Sequence, residues 1–109
     1  MPSETVIAVY RPKAGMDGAM REILTTHVAN LRAWGFTSAR PVTLLHASNG
    51  AYLEIFEWLD GAAERAHHDP RVQEMWGRFA AACDFATLKD LPGADRPFAH
   101  FTAVDGVTI

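Results

Sequence analysis

His27 occupies the middle of a stripe that is otherwise apolar. Met16, Met20, Ile23, Leu24, His27, Val28, Leu31 and Trp34 recur at helical spacing and line one side of a helix. An imidazole on such a face points into the interior, and beside a carboxylate it can take a proton from a bound hydroxyl. Glu57 is the expected carboxylate. If Asn49-Gly50 forms the two-residue turn that suits a type I′ hairpin, His46 lies opposite Leu53, Leu44 opposite Ile55 and Val42 opposite Glu57. That register turns Glu57 and His46 toward the helix, with Glu57 nearer His27. His27 as general base and Glu57 as the group that orients it form the candidate catalytic pair. The competing reading makes His27 a hydrogen-bonded core histidine and pairs Glu57 with an arginine.

Other side chains extend this candidate site. His67 follows Ala63 and Ala66 on the inner side of a second helix and would reach a ligand there; otherwise His67, His68 and Asp69 mark only a capped break before Pro70. Trp34, Trp76, Phe79, Met20 and Met75 suit the lining of a slot for a flat aromatic molecule, or plain core. The expected pocket therefore comprises Trp34, His46, His67, Trp76 and Phe79. Glu54 stands among Tyr52, Phe56 and Trp58, on the face a partner sheet would cover, where it either pairs across the dimer with an arginine such as Arg40 or Arg11 or stays partly wet. Cys83, on an apolar helical stripe, reads as a small core residue rather than a nucleophile. One cysteine makes no internal disulfide, no Cys/His spacing matches a zinc site, and no glycine-rich phosphate loop is present, so neither metal nor cofactor is expected.

The elements that must position these groups follow from pattern. Thr5 to Arg11 is β-branched and aromatic, a first strand closed by Pro12 and Gly15. Met16 to Trp34 is a helix of about five turns ending at Gly35. Pro41 to Ser48 and Ala51 to Leu59 are the hairpin strands. Gly61 to His68 is helical, and Asp69-Pro70 restarts a helix that buries Val72, Met75, Trp76, Phe79 and Cys83. Phe85 to Leu91 and Phe98 to Val104 are expected as short strands around a loop at Pro92 to Pro97. The order β-α-β-β-α-β predicts an α+β, ferredoxin-like split βαβ sheet with both helices on one face. The whole chain, 1–109, is one domain with a core at about 5–91 and a C-terminal extension at 92–109.

Composition narrows the partners. With 49% hydrophobic and 21% charged residues the chain can bury a core, and a net charge of -3 with scattered lysines and arginines leaves no basic stripe for nucleic acid or an anionic membrane. The start of the chain lacks the basic and apolar pattern of an export signal, which predicts a cytoplasmic protein. Both faces of the hairpin are apolar, so both need cover. Burying Tyr52, Phe56 and Trp58 would contribute on the order of 10–15 kcal/mol as an upper bound. That predicts a homodimer through the face bearing Tyr52, Phe56, Trp58 and Leu45.

The segment from Gly50 to Phe79, GAYLEIFEWLDGAAERAHHDPRVQEMWGRF, resembles the antibiotic-biosynthesis-monooxygenase-like branch of the dimeric α+β barrel superfamily. The resemblance lies in the acidic-aromatic strand end Glu57-Trp58, the Ala-rich helix leading to Ala66-His67, the Asp69-Pro70 restart and an aromatic at Trp76, and extends over Thr5 to Leu91. It implies a dimeric barrel and a helix-sheet pocket, in a superfamily of cofactor-free oxygenases of aromatic polyketides, haem-degrading enzymes, isomerases and lyases. Haem-degrading relatives carry an Asn in the first strand and a haem-ligating His in the second helix. Here the first strand has no Asn and Trp76 stands where that His would be, which disfavours haem degradation. Residues from Pro92 onward fall outside the pattern. The functional expectation is a cofactor-independent monooxygenase-like enzyme acting on a small aromatic or hydrophobic molecule. A non-catalytic homodimeric ligand-binding or scaffold protein is the alternative, and an isomerase or lyase using the same base without oxygen is the third reading.

Overall fold

The structure, a computed structural model, describes residues 3–104. The β-branched first segment forms strand β1, Glu4–Pro12. Helix α1, Asp17–Ala33, buries Met20, Leu24, His27, Val28 and Leu31, the stripe its spacing dictates. Gly35 follows at φ +83, the left-handed backbone that lets a chain leave a helix. Strands β2, Thr43–His46, and β3, Tyr52–Trp58, pair antiparallel. Helix α2, Ala62–His67, stops short of Asp69, whose carboxylate accepts from the backbone N–H groups of Arg71 and Val72 and caps α3, Pro70–Ala82.

The last quarter departs from expectation. The strand placed at Phe85 to Leu91 is instead β4, Cys83–Ala86, followed by one 3-10 turn at Leu88–Asp90. The strand placed at Phe98 to Val104 shrinks to β5, Thr102–Ala103, paired to the edge of β2. Of the extension from Pro92, residues 105–109 lie outside the described residues. The strands form one five-stranded antiparallel sheet in the order β4-β1-β3-β2-β5, an α+β architecture compatible with a ferredoxin-like fold. Among the described residues no helix is long and apolar enough to cross a membrane.

The hairpin register differs from expectation by one residue, and the difference decides which side chains meet. The loop has three residues, Ser48, Asn49 and Gly50: the Ala47 N–H donates to the Ala51 carbonyl (2.8 Å) and the Gly50 N–H to the Ala47 carbonyl (3.0 Å). Gly50 takes φ +92, so a type I turn closes with a left-handed residue. His46 therefore pairs with Tyr52 and Leu44 with Glu54, rather than with Leu53 and Ile55. A one-residue slip exchanges the faces of a strand. Tyr52, Glu54, Phe56 and Trp58 thus turn toward the helices and are buried there, beside Met20, Leu24 and Val28 of α1 and Val72, Met75 and Phe79 of α3.

This corrects the expected dimer face. Tyr52, Phe56 and Trp58 are covered within one chain, and only Leu45 remains on the opposite face as expected. That opposite face is itself partly roofed: Val9, Ala47, Ala51 and Leu53 pack with Leu91, and Phe101 lies against the same cluster. The segment after Leu91 thereby acquires a role as cover for the back of the sheet.

Candidate functional site

Four elements each deliver one polar side chain to a point between sheet and helices. Glu54, on β3, is 0% exposed. Its Oε1 accepts from the Tyr10 hydroxyl on β1 at 2.8 Å and lies 2.9 Å from His27 Nδ1 on α1. On the far side of the imidazole, the Trp76 indole N–H of α3 donates to His27 Nε2 at 3.1 Å. An indole nitrogen can only donate, so Nε2 presents its lone pair and Nδ1 carries the hydrogen that Glu54 accepts. The tautomer is the one a general base needs, with the carboxylate behind the ring and the basic nitrogen in front.

Sheet register explains how these groups meet. Ala8 is the direct partner of Glu54 across β1 and β3, and Tyr10 the partner of Tyr52, so Tyr10 reaches Glu54 along the diagonal on one face. Phe56 and Phe79 hold the His27 ring edge-on, with centroids at 5.7 and 4.7 Å, and Tyr10 stacks on Phe79 at 4.8 Å. Burial, then the neighbouring Glu54 charge and the hydrogen bond to it, hold the Tyr10 phenol well above its usual range, so it remains a donor. Glu54 Oε2 has no hydrogen-bond partner, an uncommon condition for a buried carboxylate oxygen.

The network opens on a cavity of about 400 Å³. Val6, Ala8, Phe56, Trp58, Phe79 and Phe85 make it apolar, and Tyr10, His27, His67 and Trp76 bring polar atoms to it. His67, exposed at the surface, donates Nδ1–H to the Ala63 carbonyl at 2.6 Å and meets Trp76 edge-on at 4.8 Å, leaving its Nε2 free. The volume and the mix of apolar wall with few polar groups suit a small planar ligand. No cluster of three or more His, Cys, Asp or Glu suited to a metal ion occurs among the described residues.

The structure brings together some expected site residues and separates others. His27, Trp76, Phe79 and His67 share the cavity. Glu57 does not: it lies on the opposite face of the sheet, 3.2 Å from Arg40, and the carboxylate at His27 is Glu54. His46 stands outside the cavity, stacked on Tyr52 at 4.4 Å with Nε2 3.2 Å from the Gly50 carbonyl. Trp34 is also outside, its ring beneath the Arg71 guanidinium at 4.8 Å. Glu54, expected to meet an arginine such as Arg40 or Arg11 or to stay partly wet, is fully buried and meets Tyr10 and His27 instead, while Arg40 lies on Glu57; neither Glu54 nor Tyr10 is among the expected pocket residues. The available signal was Glu54 itself, a carboxylate interrupting the run Tyr52, Phe56, Trp58 and so in need of buried donors.

With this geometry in hand, comparison with models of protein families, with curated proteins and with solved structures finds no match to the chain.

Proposed function

We propose that the chain is a cofactor-independent, monooxygenase-like enzyme that binds a small planar aromatic molecule in the helix-sheet cavity and removes a proton from it with His27. The observation that carries the reading is the Glu54–His27 pair, buried, correctly tautomerised and facing an apolar cavity. A ligand hydroxyl replaces the Trp76 indole as donor to Nε2, and its proton passes to the imidazole while Glu54 stabilises the cation formed. The electron-rich enolate left behind reacts with dioxygen. For a ring methylene, the carbon loses four electrons in becoming a carbonyl, one oxygen atom stays there and the other leaves as water. Tyr10 keeps Glu54 in place.

The cavity and the strand end Glu57-Trp58 support placing the chain with the antibiotic-biosynthesis-monooxygenase-like proteins. The reading includes a homodimer through the opposite sheet face, where Ile7 is 45% exposed and shares a groove with Leu53, Leu88, Leu91 and Phe101. A second reading, a ligand-binding protein without turnover, is favoured by one observation: the Nε2 lone pair is already occupied by Trp76.

Oxygen uptake with anthrones, hydroquinones and polycyclic phenols tests the proposal, with His27→Ala alongside. The expected outcome is turnover in the parent chain and a loss of about 100-fold or more in the variant, with the circular dichroism spectrum retained. Binding without uptake would transfer the site to the second reading. Turnover unaffected by oxygen removal would make it an isomerase or lyase, and turnover unaffected by His27→Ala would remove the base.

A further inference from the structure

Strand β4 is shorter than its neighbour, and the shortfall leaves part of β1 without a partner. β1 pairs with β3 from Glu4 to Tyr10 but with β4 only from Val9 to Pro12. Among the described residues, no strand lies beside Glu4 to Ala8 on the β4 side. Residues of an antiparallel strand bond alternately to one neighbour and the other. The Lys13 N–H donates to the Ala82 carbonyl at 2.9 Å, one step beyond the Pro12–Cys83 pair, so the odd-numbered residues of β1 bond toward β4 and the even-numbered ones toward β3. The groups left over in the open lane are the N–H and C=O of Thr5 and of Ile7. Nothing in the sequence blunts this edge: Thr5, Val6, Ile7 and Ala8 include no charge and no proline, and Ile7 is 45% exposed.

We infer that this lane takes the same lane of a second copy, paired antiparallel about a two-fold axis at Val6. Thr5 then lies opposite the partner's Ile7, and Ile7 opposite the partner's Thr5. Each of these pairs exchanges two hydrogen bonds, so every idle group on both copies is satisfied. The strand itself selects the register. An axis at Ile7 would bring the partner against Val9, which already pairs with Ala86, and an axis at Thr5 would draw on Ser3, which precedes β1. With the axis at Val6 the partner's Glu4 falls opposite Ala8, and its strand ends where β4 begins. The contact reaches the candidate site, because directly opposed residues put their side chains on one face. Val6 and Ala8 line the cavity, so the partner's Val6 and Glu4 extend that wall at the edge of the sheet, and the rim is shared by two copies. This pairing lies in the plane of the sheet and leaves Leu88, Leu91 and Phe101 untouched, so it is separate from the sheet-face homodimer proposed above and does not rest on it. A short strand pair is a small interface, and the association expected is a weak one.

Cysteine cross-linking and amide exchange on the full chain test the register. In Val6→Cys the two sulfurs meet at the axis, across a close pair whose Cβ separation suits a disulfide. In Ile7→Cys the two positions are offset along the strands, about 8 Å apart and too far to bridge. Both variants are oxidised with glutathione disulfide at matched concentration and resolved on non-reducing gels; Cys83 is buried, and the parent chain gives its background. The expected result is a disulfide dimer as the main product of Val6→Cys and only a trace from Ile7→Cys, although Ile7 is the more exposed residue. More dimer from Ile7→Cys than from Val6→Cys overturns the edge contact and leaves the sheet-face homodimer standing. In the parent chain, raising the concentration from about 10 µM to about 1 mM should slow exchange of the Thr5 and Ile7 amides several-fold, with those of Val6 and Ala8, bonded to β3, slow throughout. Exchange at Thr5 and Ile7 that does not change with concentration overturns the inference as well. Should Val6→Cys fail to fold, the exchange measurement decides alone.

Discussion

Glu54 is the residue on which the site depends, because two donors from different elements converge on one of its oxygens in the interior. Replacing it with Gln keeps an acceptor for Tyr10 and for His27 Nδ1 but removes the charge that would stabilise a protonated imidazole. Glu54→Leu leaves both donors unpaired, at about 1–3 kcal/mol each. Urea denaturation should therefore rank stability as parent, then Gln, then Leu, and Gln should bind ligand yet lose turnover; a Leu variant as stable as Gln would mean the network does not form. The chain's two tyrosines give a pH readout. Tyr10 is held well above its ordinary value by burial and Glu54, and Tyr52 is pushed up to about 12 by burial and its hydrogen bond to Asp17. Both folded-state values exceed the unfolded value of about 10, so the native chain keeps protons that the unfolded chain releases. Their stabilisation is complete below about pH 10 and is lost as pH rises beyond it. Ultraviolet titration should show no tyrosinate near pH 10 while the fold persists, and early ionisation of either phenol in the folded chain would contradict the burial described.

At the scale of elements, the hairpin loop decides the site. Ala47 lies opposite Ala51 across Ser48, Asn49 and Gly50, and this places Glu54 rather than Leu53 under the helices. Deleting Ser48 leaves Asn49-Gly50 as a two-residue loop with Ala47 still opposite Ala51, a length and sequence that favour a type I′ turn. The expected outcome is a folded protein with a melting temperature within a few degrees of the parent and ligand binding retained. Were Ser48 the native partner of Ala51, the same deletion would exchange the faces of the strand and unfold the chain. The helices were the legible part. The α1 stripe is buried as its spacing requires, and Asp69-Pro70 starts α3 because both residues act locally, one accepting backbone N–H groups and the other presetting φ.

For the whole molecule, the aromatic face belongs to the monomer core. Phe56→Ala should cost about 3–5 kcal/mol in urea denaturation, as a cavity in a packed interior does. Sedimentation at matched micromolar concentration should show the same assembly state for parent and variant, since the homodimer proposed here uses the opposite face, with Ile7 and Leu88. A folded Phe56→Ala variant that has lost only its partner would restore the aromatic face as the interface. The segment beyond Leu91 affects the same question, because Phe101 and Leu91 already cover part of the sheet that a partner would meet.

Local periodicity and local capping determined, from the residues alone, the α+β class, both long helices, the first three strands and the inward direction of His27. These features depend on neighbours within a turn or two of the chain. The identity of the carboxylate behind His27 did not, because it turns on whether the hairpin loop has two residues or three, and Asn49-Gly50 serves either as a type I′ turn or as the end of a three-residue loop closed by Gly50. Side chains alternate along a strand, so that single residue exchanged Glu57 for Glu54 and converted an expected interface into a core. Tyr10 and Trp76 lie 44 and 49 residues from their partners Glu54 and His27, and only the packed sheet and helices bring them into contact.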